Sequence, residues 1–291
     1  MEVYMSGVSI ILPAKNEARG LEKLIPQLRA LYPDAEIIVV DDGSTDDTCD
    51  ISISYGAKCI SHPYSKGNGA AIKTGARNAS FGTLVFMDAD GQHKPEDINE
   101  LLKRKTLGYD MVVGARVSGS QAGMHRAAAN GFYNVLASWM VGHQIDDLTS
   151  GFRVVCAEKF RQFLYLLPNG FSYPTTITMS FFRAGYSVAY VPIFAPKRIG
   201  KSHVRIIRDG ARFVLIIFKI GTLYSPLKLF LPISFVFFFI AFSYYIYTFL
   251  VQHRFTNMSA LLFVTSVLVF LIGLVSEQIT ALMFKDGDKS P

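Results

Sequence analysis

Two apolar runs near the end of the chain restrict its architecture more than any other feature. Leu227 to Val251 carries one charge, at Lys228, and Met258 to Phe284 carries only Glu277. Each run exceeds the roughly 20 residues needed to cross a hydrocarbon core, which predicts two transmembrane helices joined by a short turn, Gln252 to Asn257. Half of the 291 residues are hydrophobic, and the excess is concentrated here. An acid inside a span is a functional candidate by default, so Glu277 is one; pairing within an oligomer or a place near the interface would account for it equally. Met1 to Gly7 leads straight into a strand, so no signal peptide is expected.

The charge distribution agrees with a membrane location. Between Lys197 and Lys228 there are eight basic residues and one acid, Asp209, a local charge of +7 in a chain whose net charge is +6. This collar predicts attraction to anionic headgroups and marks the cytosolic side. A nucleic-acid footprint would spread over the soluble part, so no nucleic-acid partner is expected. From His203 to Pro226, apolar residues recur near helical spacing opposite Arg205, Arg208 and Arg212, which predicts an interfacial amphipathic helix. The three cysteines, Cys49, Cys59 and Cys156, are odd in number and lack CxxC spacing; they read as buried thiols rather than a disulfide framework or zinc ligands.

Before the collar, short apolar runs alternate with helical stretches. Val8–Leu12, Glu36–Val40, the segment around Cys59, Leu84–Met87 and Met111–Arg116 read as strands, with helices between them. That alternation means an α/β fold with a mostly parallel sheet covered on both faces. Ligands of such sheets bind beyond the carboxyl ends of the strands. Pro13 to Glu17, Asp41 and Asp42, Asp88 to Gln92, and Gly114 to Arg116 all fall there.

Asp88 and Asp90 stand out within that group. A carboxylate pair at a strand end offers hard oxygen donors, and Mg²⁺ is usually held by one or two such groups together with water and substrate phosphate. The tripeptide alone is equally compatible with a turn. An EF-hand loop would need Gly and Glu where the chain has His93 and Asn99. The DxDG string of haloacid-dehalogenase-type phosphatases continues with Thr where the chain has Gln92. Gly67 and Gly69 begin a GxG without the rest of a dinucleotide fingerprint, and the GKS at Gly200 lacks the first glycine of a Walker A loop.

Six ordered strings then carry a resemblance: ILPAKNE (Ile11 to Glu17), VVDDGSTDDT (Val39 to Thr48), KGNGAAIKTG (Lys66 to Gly75), MDADGQH (Met87 to His93), VVGAR (Val112 to Arg116) and DLTSGFRV (Asp147 to Val154). Over roughly Val8 to Tyr224 the chain resembles family 2 glycosyltransferases of the GT-A fold, and within them the polyprenyl-phosphate sugar synthases. It departs at Ala14 and Lys15, where that family often has Thr and Tyr. The resemblance implies a nucleotide site made of Pro13, Asn16, Glu17, Asp41, Asp42, Lys66 and Asp88. It implies Mg²⁺ or Mn²⁺ held by Asp88, Asp90 and Gln92 against the diphosphate. Arg116 and Arg126 would approach the donor and acceptor phosphates, and Arg198, Lys201 and Ser202 would grip the lipid phosphate. Asp90, Arg116, Arg126 and Asp147 would form the catalytic group, with Asp147 either orienting the acceptor or anchoring its own loop.

The expected organisation is a cytosolic GT-A domain over residues 1–202, an amphipathic helix over 203–226, a two-helix anchor over 227–284 and a cytosolic tail over 285–291. The implied reaction is inverting transfer of one hexose from a GDP- or UDP-linked sugar to dolichyl or undecaprenyl phosphate. Two-helix anchors commonly associate, so a homo-oligomer is compatible with this reading. A processive polysaccharide synthase would usually carry QxxRW and more spans, whereas the only tryptophan, Trp139, lies outside such a motif. A nucleotide-sugar-binding scaffold without transferase activity is the non-catalytic alternative.

Overall fold

The computed structural model describes residues 7–91, 93–117, 124–170, 172–194, 222–223 and 225–285. The chain divides into two compact units, Met1–His203 and Val204–Pro291. In the first, the expected strands are β1 (Val8–Ala14), β2 (Glu36–Asp41), β3 (Lys58–Ser61), β4 (Thr83–Phe86) and β5 (Met111–Arg116). Two more, β6 (Arg153–Cys156) and β7 (Val188–Ile193), were not legible as strands. All seven form one sheet in the order β3-β2-β1-β4-β6-β5-β7. Only β6 runs antiparallel to its neighbours, β4 and β5. The mostly parallel α/β architecture therefore holds, with one reversed strand inside it.

The helices are α1 (Ala18–Leu31), α2 (Thr48–Ser54), α3 (Asn68–Asn78), α4 (Asp97–Lys105), α5 (Met124–Val141), α6 (Ala157–Arg161) and α7 (Tyr173–Arg183). Ile10, Ile11 and Leu12 of β1 and Ile38, Val39 and Val40 of β2 are fully buried, which is why these strands are continuous apolar runs rather than alternating ones. α1 covers the sheet with Leu21, Leu24, Ile25 and Leu28, the one-face spacing of a half-buried helix. α3 approaches so closely that a Cβ at Gly75 would run into the Ile11 side chain. Register aligns the strand ends: Ala14 pairs with Asp41, and Ile11 with Phe86. The loops after β1, β2 and β4 consequently leave the sheet at one edge.

The reading of the cysteines is corrected. Cys49 on α2 and Cys59 on β3 form a disulfide, with Cα atoms 5.7 Å apart, and Cys156 is a partly exposed thiol. Count and CxxC spacing are blind to this pair, because the chain reversal between α2 and β3 brings together residues ten apart in sequence.

The second unit contains α8 (Pro226–Gln252) and α9 (Asn257–Lys285), both long and apolar enough to cross a bilayer. They form a hairpin with reciprocal bonds across it: the Ser234 hydroxyl donates to the Ser266 carbonyl (2.9 Å) and the Ser266 hydroxyl to the Ser234 carbonyl (3.0 Å). A Cβ at Gly273 would lie 2.8 Å from that of Phe230, so the helices nearly touch there. Glu277 has a structural partner: its Oε2 accepts the Leu227 N–H (3.2 Å) in the first turn of α8, where backbone donors lack helical acceptors. Glu277→Leu is expected to cost the hairpin about 1 kcal/mol, whereas Glu277→Gln keeps an acceptor and stays near wild type. Thermal unfolding in detergent micelles measures that order.

Candidate active site

The aligned strand ends enclose a crevice of about 480 Å³, within the range of small-ligand sites. Of the expected residues, Pro13, Glu17, Asp42, Asp88 and Asp90 line it, joined by Ser65, Gly67, Asn68, Thr149, Gly151 and Tyr173. Asn16, Asp41, Lys66, Arg116 and Asp147 are not among its lining. Arg126 lies on α5, in a stretch whose side chains are outside the described set. Gln92, Arg198, Lys201 and Ser202 lie outside the described residues.

The loops after β1 and β2 are laced to each other. The backbone N–H groups of Asn16, Glu17 and Ala18 donate to Ser44 Oγ (2.8 Å), Thr48 Oγ1 (3.1 Å) and Asp46 Oδ2 (3.3 Å). In return, Asn16 Oδ1 accepts the Thr45 N–H (2.8 Å). Asn16 does this from a left-handed backbone conformation, φ 55°, which asparagine tolerates better than most residues. Its side chain thus serves the neighbouring loop. The start of α1, where a free helix terminus would attract phosphate, has its first donors occupied by side chains of the second loop.

Asp41 and Asp42 are both buried and spoken for. Asp41 accepts the Ser44 N–H (2.9 Å) and the Ser61 hydroxyl (3.3 Å). Asp42 meets four groups: His62 Nδ1 (2.8 Å), the Ser65 hydroxyl (2.7 Å), and the N–H groups of Lys66 and Gly67 (both 2.8 Å). His62 in turn meets Thr74 of α3 through Nε2 (2.9 Å). Burial would raise the Asp42 pKa, but the bonds from His62, Lys66, Ser65 and Gly67 outweigh it and bring it down to about 2. Asp42 therefore shapes the 62–67 segment, and Lys66 is engaged through its backbone while its ammonium sits over the Tyr64 ring (5.6 Å). Because the folded pKa lies below the ordinary aspartate value of 3.8, this stabilisation is complete above about pH 4 and is lost as pH falls toward 2. Unfolding temperatures measured from pH 7 to pH 2 are expected to fall more steeply for wild type than for Asp42→Asn.

The next segment packs on the backbone of residues 168–170. A Cβ at Gly67 would lie 2.5 Å from the Asn169 carbonyl oxygen, and one at Gly69 would collide with that of Pro168. Both glycines of KGNG are therefore packing requirements. That explains the motif without a dinucleotide fingerprint.

Arg116, the last residue of β5, forms a bidentate pair with Asp147: Nε to Oδ2 (2.7 Å) and Nη2 to Oδ1 (2.9 Å), with Nη2 also reaching Thr149 Oγ1 (2.6 Å). Asp147, 3% exposed, further accepts the N–H groups of Thr149 and Ser150 (both 3.1 Å). Burial pushes its pKa up, yet the Arg116 guanidinium and these donors bring it below the usual carboxylate range. Beneath this turn lies Arg153, fully buried, donating to the carbonyls of Ser150 and Pro174 and to the Thr178 hydroxyl. Burial lowers its pKa, and the carboxylates of Asp147 and Asp88 act in the opposite direction. A fully buried arginine has no periodicity signal, although SGFR lay inside a recognised string.

Asp88 and Asp90 supply two carboxylates to an open crevice. Among the described residues no group of three or more His, Cys, Asp or Glu could hold a metal. Two hard oxygen donors with space for water and phosphate fit Mg²⁺ or Mn²⁺ and do not fit a closed structural site.

The sequence matches the description "Glycosyl transferase family 2" over residues 9–164 and "GtrB C-terminal hairpin" over residues 225–282. It is 29% identical to the polyprenol monophosphomannose synthase of Mycolicibacterium smegmatis, over 66% of this chain and 79% of that protein. It is 30% identical to the undecaprenyl-phosphate mannosyltransferase of Micrococcus luteus, over 67% and 86%. Among solved structures, glucosyl-3-phosphoglycerate synthase from Mycobacterium tuberculosis, in complex with Mn²⁺, UDP and glucosyl-3-phosphoglycerate, superposes with a TM-score of 0.60 at 22% identity, covering 74% of this chain and 79% of that one. That last likeness concerns the fold. With the crevice at the strand ends and a family match over more than half its length, the chain belongs to glycosyl transferase family 2.

Proposed function

We propose that the protein transfers a single hexose from a nucleotide sugar to a polyprenyl phosphate, with inversion at the anomeric carbon. The observation that carries this is the coexistence, in one chain, of a family 2 crevice bearing Asp88 and Asp90 with a GtrB-type hairpin of two bilayer-length helices. Relatives named for mannosyl transfer to polyprenyl phosphates support the acceptor class. The catalytic unit works on the cytosolic face, an orientation supported by the basic collar between Lys197 and Lys228.

The acceptor is a phosphate monoester with a second pKa of about 6, so near neutral pH it is largely a dianion and needs no strong general base. One of its oxygens attacks the anomeric carbon while the bond to the donor diphosphate breaks and the nucleoside diphosphate leaves. The difficulty is bringing two anions together. Asp88 and Asp90 would hold Mg²⁺ or Mn²⁺, which when bound offsets the charge of the diphosphate. Pro13, Glu17 and Ser65, which line the crevice on the frame set by Asp42, would receive the nucleotide, while Thr149 and Gly151 contribute a further stretch of its wall. The Arg116–Asp147 pair fixes that wall, so both residues act by positioning it.

The test is a donor panel. Purified full-length protein, Mg²⁺ or Mn²⁺ and one short polyprenyl phosphate are incubated with GDP- and UDP-linked hexoses. A lipid-extractable sugar phosphate is expected with at least one donor, and its absence with every donor would sink the reading.

A further inference from the structure

His93, the residue after Gln92, has no role in the chemistry described so far, yet it is buried, 7% exposed, on the side of Asp88. Its ring stacks on Phe152, with centroids 4.8 Å apart and planes 18° from parallel. Phe152 is itself fully buried, and so close to β5 that a Cβ at Gly114 would lie 2.7 Å from its ring. The imidazole plane is therefore set by a ring that has no room to move. In that plane Nε2 lies 3.6 Å from Asp88 Oδ2. On another side, Gly151 presses against the same carboxylate: a Cβ there would lie 3.1 Å from Oδ2 and 3.5 Å from Oδ1. The consecutive residues Gly151 and Phe152 thus confine Asp88, one by direct contact and the other through His93. Nδ1 of His93 has no hydrogen-bond partner among the described residues, so Nε2 is the ring atom with a polar neighbour.

We propose that His93 is a positioning residue for Asp88, holding Oδ2 through Nε2 so that the carboxylate meets a divalent cation in one orientation. The inference rests on Asp88 being a metal-holding residue, as in the function proposed above. At 3.6 Å the contact is longer than a hydrogen bond, and contacts of this kind often tighten when the site is loaded. Outer partners that orient a ligating group are typically worth 10–100-fold in metal affinity.

Mn²⁺ binding tests this without relying on turnover. Mn²⁺ is titrated into the detergent-solubilised full chain with UDP and, separately, GDP, and free Mn²⁺ is read by electron paramagnetic resonance. His93→Phe keeps a ring on Phe152 and removes the nitrogen; it is expected to bind Mn²⁺ about 10–100-fold more weakly. His93→Gln restores a polar group and is expected to recover about half or more of that loss on a logarithmic scale. In turnover, His93→Phe should raise the Mn²⁺ concentration for half-maximal rate far more than it lowers kcat at saturating metal. Wild-type Mn²⁺ affinity in His93→Phe overturns the proposal, and if that variant does not fold, a loss in folded His93→Gln as great as 100-fold overturns it instead. Asp88→Asn separates the two claims. If it abolishes binding while His93→Phe does not weaken it, the positioning role alone fails; if Asp88→Asn binds as wild type does, Asp88 is not a ligand and both fail.

Discussion

Replacing Asp90 by alanine is expected to lower turnover by about 10³-fold or more with little change in unfolding temperature. Asp90 lines the crevice in the segment after β4 and is only partly buried. Removing one of two carboxylates from a divalent-cation site leaves the diphosphate charge poorly offset, and a loss of about 4 kcal/mol in transition-state stabilisation corresponds to that factor. The measurement is kcat/KM of the purified variant with the donor found active in the panel, beside its thermal unfolding. Retention of more than a tenth of wild-type turnover would show that Asp90 does not carry the metal. A scaffold without transferase activity predicts the same cellular function with or without the carboxylate.

Asp147→Ala is expected to act through stability, by about 3–5 kcal/mol. The substitution strands the Arg116 guanidinium and leaves the N–H groups of Arg116, Thr149 and Ser150 without their acceptor. Asp147→Asn keeps one oxygen and should cost about 2 kcal/mol. Its activity per folded molecule, assayed well below its unfolding temperature, is expected to stay within about tenfold of wild type. A collapse of kcat at unchanged stability would instead make Asp147 a participant on the acceptor side. Stability and rate therefore have to be measured on the same preparation.

Much of the architecture could be read from residues alone, because continuous apolar runs such as Ile10–Leu12 and Ile38–Val40 are what a doubly covered sheet requires. β6 escaped because Arg153 opens it, and a charged residue that is wholly buried contradicts every periodicity rule that sequence reading uses. β7 escaped because its burial alternates irregularly along a sheet edge, with Pro192 in the strand. The clustering of Asp42, Asp88 and Asp90 followed from the strand ends. What did not follow was the division between groups that face the ligand and groups that hold the frame. Asp42 and Asp88 are both acids after apolar strands, yet one faces four donors, and the other is confined by Gly151 and His93, neighbours distant or unremarkable in sequence. The Cys49–Cys59 link was missed for the same reason: proximity created by a chain reversal leaves no trace in spacing.

The lacing between the loops after β1 and β2 bears on the thermodynamics of donor binding. Every bond in it joins one protein group to another, so the rotational freedom of Asn16, Ser44, Thr45, Asp46 and Thr48 is surrendered when the chain folds. Ordering a backbone residue costs roughly 1–2 kcal/mol, and five such residues, fixed in the frame that holds Glu17 of the crevice lining, would spare an incoming nucleotide part of that cost. Cutting the lace, as Asn16→Ala would, transfers part of that entropy to the binding step. The calorimetric mark would be a more negative binding entropy, with the chemical contacts to the nucleotide left in place.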